Sequence, residues 1–268
     1  MKTAVASCLT AISGVVFLSL APAPLAGQAA GGSAQAIPKQ PDGHPDFTGV
    51  YAGPGFSHRV GPDDTDAPRV STFDKKLFPP FKPGGREKFY QKSTGDVRHD
   101  DPTAICLPDA HPREALAPYA QQWVQGPGFV VILYEYMHFF RYIPTDGRPH
   151  PKDLELTYMG DPVGHWEGDT LVIDTIGLKS YPLDAASFEE VRYHSDSLHT
   201  IERLKHIDRT TIDYQITLDD PEIFEKPFTQ TFQMKLHPTW KIFEQICEDN
   251  NRCEAGHCAS SDNQKPSK

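Results

Sequence analysis

Charge is almost missing from the start of this chain: before Lys39 the only charged side chain is Lys2. Missing too is an apolar run able to span a bilayer, which takes about 20 predominantly apolar residues. The stretch Ala4–Leu20 is interrupted by Ser7, Thr10, Ser13 and Gly14 and ends at Pro22. A lone positive residue, a short apolar region and then small residues through Ala34-Gln35-Ala36 predict a secretory signal peptide over residues 1–36. Cys8 has no lipobox after it, so no lipid anchor is expected and no membrane insertion after cleavage. The predicted location is the periplasm or the extracellular space. A basic excess is absent as well. Against 36 acidic residues stand 26 basic ones, a net charge of −10. That balance argues against nucleic acid or an anionic membrane as partner, since both select a basic footprint.

The common catalytic strings are missing. There is no G-x-S-x-G elbow, no H-E-x-x-H zinc helix, no phosphate-binding Gly-rich loop ending in Lys-Ser/Thr and no dinucleotide fingerprint. These absences count against the commonest serine hydrolases, zinc proteases and nucleotide enzymes, and no cofactor is expected. Cysteine is scarce: of five, Cys8 lies in the leader. Cys106, Cys247, Cys253 and Cys258 remain, an even number in an oxidising compartment. They read as two disulfides with three possible pairings. Cys106–Cys247 with a Cys253–Cys258 tail loop is the favoured set. The tail spacing C-x5-C-x4-C, even with His257 beside it, is not a zinc pattern.

What the chain does have is proline, then β-pattern. Residues 37–120 carry Pro38, Pro41, Pro45, Pro54, Pro62, Pro68, Pro79, Pro80 and Pro83. They predict an extended Pro/Gly-rich arm packed on the body, with short helices near Thr72–Phe78 and Pro83–Ser93. Residues 121–249 predict an antiparallel β domain, and 250–268 a mobile polar tail. Asp161–Trp166 and Asp169–Leu178 flank Glu167-Gly168; Leu198–Ile207 and Thr211–Leu218 flank Asp208-Arg209-Thr210; Phe228–Leu236 and Trp240–Cys247 flank His237-Pro238-Thr239. Ile212, Tyr214, Ile216 and Leu218 alternate with polar residues, as do Phe228, Phe232, Met234 and Leu236, with Gln230 interrupting. Sequential hairpins with one apolar face predict a mainly β meander. The first choice of architecture is a lipocalin-like barrel or strongly curved sheet; a two-sheet sandwich is the second.

Several long segments carry a resemblance. They are Pro41-Asp42-Gly43-His44-Pro45-Asp46-Phe47-Thr48-Gly49-Val50-Tyr51 and Val130-Val131-Ile132-Leu133-Tyr134-Glu135-Tyr136, the latter with His138, Arg141 and Asp146-Gly147-Arg148-Pro149-His150-Pro151. To these add Val163-Gly164-His165-Trp166-Glu167-Gly168-Asp169-Thr170-Leu171-Val172-Ile173-Asp174-Thr175 and His194-Ser195-Asp196-Ser197-Leu198-His199 with Glu202-Arg203. Together they resemble a large family of uncharacterised exported bacterial proteins. The resemblance covers most of the mature chain and implies export and a compact domain. It brings no activity. His165 stands where that family often has Arg.

Candidate chemistry lies with histidines and carboxylates on strands. Strict alternation through Val130–Tyr142 would put Tyr134, Tyr136, His138, Phe140 and Tyr142 on one face. Such a lumen, with Arg141 at hand for an anionic group, would suit a small hydrophobic or aromatic molecule. A packed core with tyrosine hydroxyls at the rim is the plainer alternative. His194, Ser195, Asp196, His199, Glu202 and Arg203 fall within ten residues at a strand entry, and Asp174 sits between Ile173 and Ile176 as a candidate buried acid. The candidate bases are therefore His138, His194 and His199, with Asp174 or Glu202 to orient them and Tyr134 or Tyr136 to donate. Loop capping and surface ion pairing would account for the same residues without chemistry. A metal held by His138, His194 and His199 is disfavoured, because H-x4-H on a strand puts the two rings on opposite faces. The expectation is a cofactor-independent enzyme using His/carboxylate acid–base catalysis, a lyase, isomerase or hydrolase. A lipocalin-like carrier without chemistry is the alternative. No feature sets an oligomeric state.

Overall fold

The computed structural model describes residues 36–53, 75–184 and 190–248, with 253–254 and 257–258. The expected leader lies outside the described residues. Strands follow in the order β1 (Gly49–Ala52), β2 (Tyr90–Lys92), β3 (Ala120–Gly126), β4 (Phe129–Tyr134), β5 (Phe140–Pro144), β6 (Asp161–Glu167), β7 (Thr170–Ile176), β8 (Tyr181–Asp184), β9 (Glu190–His194), β10 (His199–His206), β11 (Thr211–Asp219) and β12 (Phe228–Lys235). Two-residue strands β13 (Cys253–Glu254) and β14 (His257–Cys258) end the series.

The hairpins with explicit turn chemistry form as the pattern predicts. β6 and β7 pair from Asp161↔Ile176 to Glu167↔Thr170, and Gly168 takes the positive φ of 60° that the turn requires. β10 and β11 pair from His199↔Asp219 to His206↔Ile212. Along β11, Ile212, Tyr214, Ile216 and Leu218 are buried, and on β12 burial alternates strictly through Phe228, Gln230, Phe232 and Met234.

The strands do not close into a barrel. They form a five-stranded sheet (β12-β11-β10-β7-β6), a four-stranded sheet (β1-β3-β4-β5) and a three-stranded sheet (β2-β9-β8), all antiparallel. After β7 the chain leaves the large sheet to build β8 and β9 against β2, then returns to lay β10 beside β7. That excursion interrupts the meander. The inner faces of the two larger sheets pack together over Trp123, Val130, Ile132, Ile143, Leu171, Ile173, Leu204 and Ile216. Their edges meet through an isolated Tyr51↔Leu236 bridge on one side and a Gly147 N–H to Gly164 carbonyl bond of 2.9 Å on the other.

Two further segments depart from the pattern. Phe129–Ile143 is not one strand. β4 ends at Tyr134, the chain reverses through Tyr136–His138, and β5 returns with Leu133↔Phe140 in register. The reversal shifts the parity, so Tyr134 points inward while Phe140 (60% exposed) and Tyr142 (53%) face out. The tyrosine-lined lumen therefore does not exist. Trp240–Cys247, expected as a strand, is an irregular strap. It is tied at its end by the Cys106–Cys247 disulfide, with Cα atoms 5.4 Å apart. Cys253 and Cys258 are Cα partners in the β13/β14 ladder, but their side chains lie outside the described part.

The described parts of the arm are woven into the body. Its β1 is an edge strand of the four-stranded sheet, and Phe78, Phe81 and Phe89 pack on Phe224 and Phe228. The helix expected at Pro83–Ser93 covers only Gly85–Phe89 before β2 takes over. Gly85 sits where a Cβ would come within 2.2 Å of the Ile223 carbonyl oxygen. Of the Thr72–Phe78 helix, only a 3-10 turn at Lys75–Leu77 falls within the described residues. Among those residues no helix is long and apolar enough to cross a membrane.

Candidate functional site

β7 and β10 are neighbours, and successive residues on each point to opposite faces of the sheet. Thr175, Thr200 and Glu202 point inward and are buried; Asp174, Ile176, His199 and Ile201 point outward. Asp174 pairs with Ile201 across the ladder, which sets His199 on its diagonal at the range where long side chains meet. His199 Nε2 lies 2.9 Å from Asp174 Oδ1. From the other side comes His150, placed by the turn at Asp146-Gly147-Arg148, where Gly147 has φ 66°. His150 Nε2 lies 3.0 Å from the same Asp174 oxygen, and its Nδ1 lies 2.6 Å from Asp161 Oδ2 on β6.

Four side chains thus form a partly open chain on the outer face: Asp161, His150, Asp174, His199. Their exposures run from 19% at His150 to 37% at Asp174. Both ring nitrogens of His150 face carboxylate oxygens. Burial works against its charge, but the hydrogen bonds to Asp161 and Asp174 and their charges outweigh burial and raise its pKa above the ordinary histidine value. For His199 the carboxylate at Nε2 selects the tautomer that donates there and keeps the lone pair on Nδ1. Asp219 is the Cα partner of His199 on β11. Val172, Ile176 and Ile201 share the outer face and give the cluster an apolar floor.

A second polar cluster is sealed between the sheets. Arg141, on β5, makes a two-pronged pair with Glu202 on β10, at 3.0 Å (Nη1–Oε1) and 2.7 Å (Nη2–Oε2). Arg141 Nη2 also donates to Thr175 Oγ1 at 3.0 Å, and the Tyr214 hydroxyl donates to Glu202 Oε1 at 2.7 Å. His111 joins it, with Nε2 2.8 Å from Thr200 Oγ1 and 3.7 Å from Glu202 Oε2. Burial would raise the Glu202 carboxyl, but Arg141 overrides it and holds the group below its usual range. Burial, aided by the Arg141 charge, pushes His111 down to about 3, so it is neutral. Tyr134 lies beside Arg141 and Glu202, its hydroxyl raised by burial. Nearby Glu114 is 1% exposed, and burial, then the Asp109 charge, pushes its carboxyl well up. None of these groups reaches solvent.

The remaining candidates stand apart. His194 is buried, with Nδ1 2.8 Å from the Ser195 carbonyl oxygen, and desolvation lowers its pKa. It edges a polar recess of about 200 Å³ shared with Lys88, Gln91, Ser180, Asp196 and Glu222. His138 is exposed and accepts the Gln245 N–H at Nε2, 2.7 Å away. Tyr136 stacks on Tyr119, and burial raises its hydroxyl to about 12.

So the three expected bases lie in three different places, and only His199 meets its expected carboxylate, Asp174. Asp174 is partly exposed, not buried: Ile173 and Thr175 take the inward positions on either side of it. Glu202 orients no base; it holds Arg141 and Tyr214. Sequence reasoning missed His150 and Asp161. His150 stood in a quoted motif, but its Asp-Gly turn marks structure and says nothing of what the ring will reach. Among the described residues no group of three or more His, Cys, Asp or Glu side chains is arranged to hold a metal ion. No protein-family model matches this chain, and no curated protein or solved structure matches it.

Proposed function

We propose that this protein is an acid–base catalyst acting outside the cytoplasm, with its site on the outer face of the five-stranded sheet. One observation carries the reading: a single oxygen of Asp174 receives Nε2 of both His150 and His199, while Asp161 holds the other end of His150. The two rings then play different roles. His150, with both N–H groups held by carboxylates, keeps its proton to a higher pH than an isolated histidine and serves as a fixed positive charge behind Asp174. His199, oriented through Nε2 by Asp174, offers Nδ1 as the base. The floor of Val172, Ile176 and Ile201 suits a small substrate with an apolar or phenolic part. Lyase, isomerase and hydrolase steps all fit a histidine base oriented by a carboxylate. Export is supported by the leader-like start, by the Cys106–Cys247 disulfide and by the resemblance to exported proteins.

The tautomers test the mechanism without a substrate. Nitrogen-15 NMR of the histidine rings near pH 8 is expected to show His199 protonated at Nε2, and Asp174→Asn to disturb that state. A His199 protonated at Nδ1 in the native protein would overturn the assignment. Turnover of a panel of small phenolic and apolar esters, lactones and hydroxy compounds is expected to vanish in His199→Ala. Saturable binding with no product would favour the carrier instead.

A further inference from the structure

We infer that the groove between the entry to β3 and the C-terminal strap is a second ligand site, for a small, neutral, planar aromatic molecule. It shares no lining residue with the His150–Asp174–His199 cluster and does not depend on that reading. The groove has a volume of about 460 Å³ and is lined by Pro118, Tyr119, Ala120, Glu135, Trp240 and Phe243, with Thr239 and Lys241 at its margin. That volume falls in the range of small-molecule pockets and suits one or two fused rings with a substituent.

The lining sets the ligand class. Three aromatic side chains from two segments converge on the groove while remaining substantially exposed: Tyr119 (38%), Trp240 (40%) and Phe243 (63%). Two of them are set in place by stacking. Tyr119 lies parallel to Tyr136 with centroids 4.4 Å apart, and Trp240 lies on His237 at 3.7 Å. Rings already oriented lose little freedom when they receive a flat guest. The groove carries one carboxylate, Glu135, and one ammonium, Lys241, so its charges balance and select a neutral molecule with a hydrogen-bonding edge, such as a phenol.

The strap is fixed to the body at several points. Its Phe243 N–H donates to Glu135 Oε2 at 3.0 Å, its Gln245 N–H to His138 Nε2 at 2.7 Å, and its Gln245 Oε1 accepts the Met137 N–H at 2.7 Å. The His138 bond needs a lone pair on Nε2, so the 3.4 Å approach of that atom to the Phe243 carbonyl is a contact rather than a second hydrogen bond. The Cys106–Cys247 disulfide then closes the strap covalently. These ties hold the wall in place before any ligand arrives.

The test is calorimetric titration of the full chain with 1-naphthol. A saturable site is expected that is weakened at least 10-fold by Trp240→Ala and by Phe243→Ala and retained in Trp240→Phe, whatever further 1-naphthol binds at the His199 cluster. Both positions are exposed, and circular dichroism checks that each variant is folded. The component of binding lost in Trp240→Ala is expected to persist in His199→Ala, which separates this site from the catalytic proposal. No saturable binding up to the solubility limit of 1-naphthol, or equal binding by the Trp240→Ala/Phe243→Ala double variant, would overturn the inference.

Discussion

Two polar clusters share strands β7 and β10 and differ in the face they occupy. Thr175 and Glu202 point into the sheet-to-sheet core, where Arg141 neutralises Glu202, Tyr214 donates to Glu202 and Thr175 accepts from Arg141. Asp174 and His199, one and three residues away, point out and meet His150 and Asp161 within reach of water. The inner cluster is a matched ion pair at 0–2% exposure, a device for fixing how two sheets dock. The outer cluster sets two rings against two carboxylates, and those contacts hold the His150 proton above the ordinary histidine range. A shift of one residue along a strand separates a sealed ion pair from a cluster open to water.

The comparison breaks most visibly at Glu202. Glu202→Ala leaves Arg141 buried without a counter-charge and is expected to cost about 3–5 kcal/mol. Against a total stability of about 5–15 kcal/mol, urea titration will read this as a large drop in midpoint. Combining Arg141→Met with Glu202→Leu is expected to recover most of the loss, since an apolar pair can replace a buried ion pair. Asp174→Asn on the opposite face should do the reverse. Turnover is expected to fall by roughly 10²–10⁴, while stability moves by no more than about 0.5 kcal/mol.

Smaller effects sharpen the contrast through pH. Glu114 has a raised folded pKa, so its contribution to stability is complete below the unfolded value of about 4.3 and is lost as pH rises, by up to ~1.4 kcal/mol per unit. His111 runs the other way: its depressed value removes stability as pH falls from about 6.5 toward about 3. The slopes oppose each other between those two unfolded values. Glu114→Gln is therefore expected to raise the urea midpoint above that of the native chain at pH 7 and to uncover an acid-side loss from His111. On the outer face His150 has a raised value, so its stabilisation is present below about pH 6.5 and disappears as pH climbs through the folded value. Asp161→Asn is expected to lower stability by about 0.2–1 kcal/mol at pH 5.5 and to leave it unchanged at pH 9.

Legibility followed the range of the interaction. The β6–β7 hairpin could be read because Gly168 marks its turn, and β11 because its period is two. The β4–β5 reversal could not. Its turn uses Met137 at φ 58° and His138 at φ 55°, residue types that carry no turn signal. That hidden reversal moved Tyr142 outward and sent Arg141 into the core. At the candidate site, Asp174 and His199 could be named from residue chemistry, because a carboxylate beside a histidine has meaning in one dimension. The pairing with His150 needed a turn to fold back over β6.

By itself the sequence determined the β class, the β6–β7 and β10–β11 hairpins and the stock of histidines and carboxylates. Those follow from alternation, turn residues and composition, all of which act over a few neighbouring positions. Only the tertiary structure decided that the sheets face each other without closing, that Glu202 answers to Arg141, and that one oxygen of Asp174 serves two histidines. Each of those rests on side chains brought together from distant strands, where packing and desolvation set the partner and the distance along the chain does not.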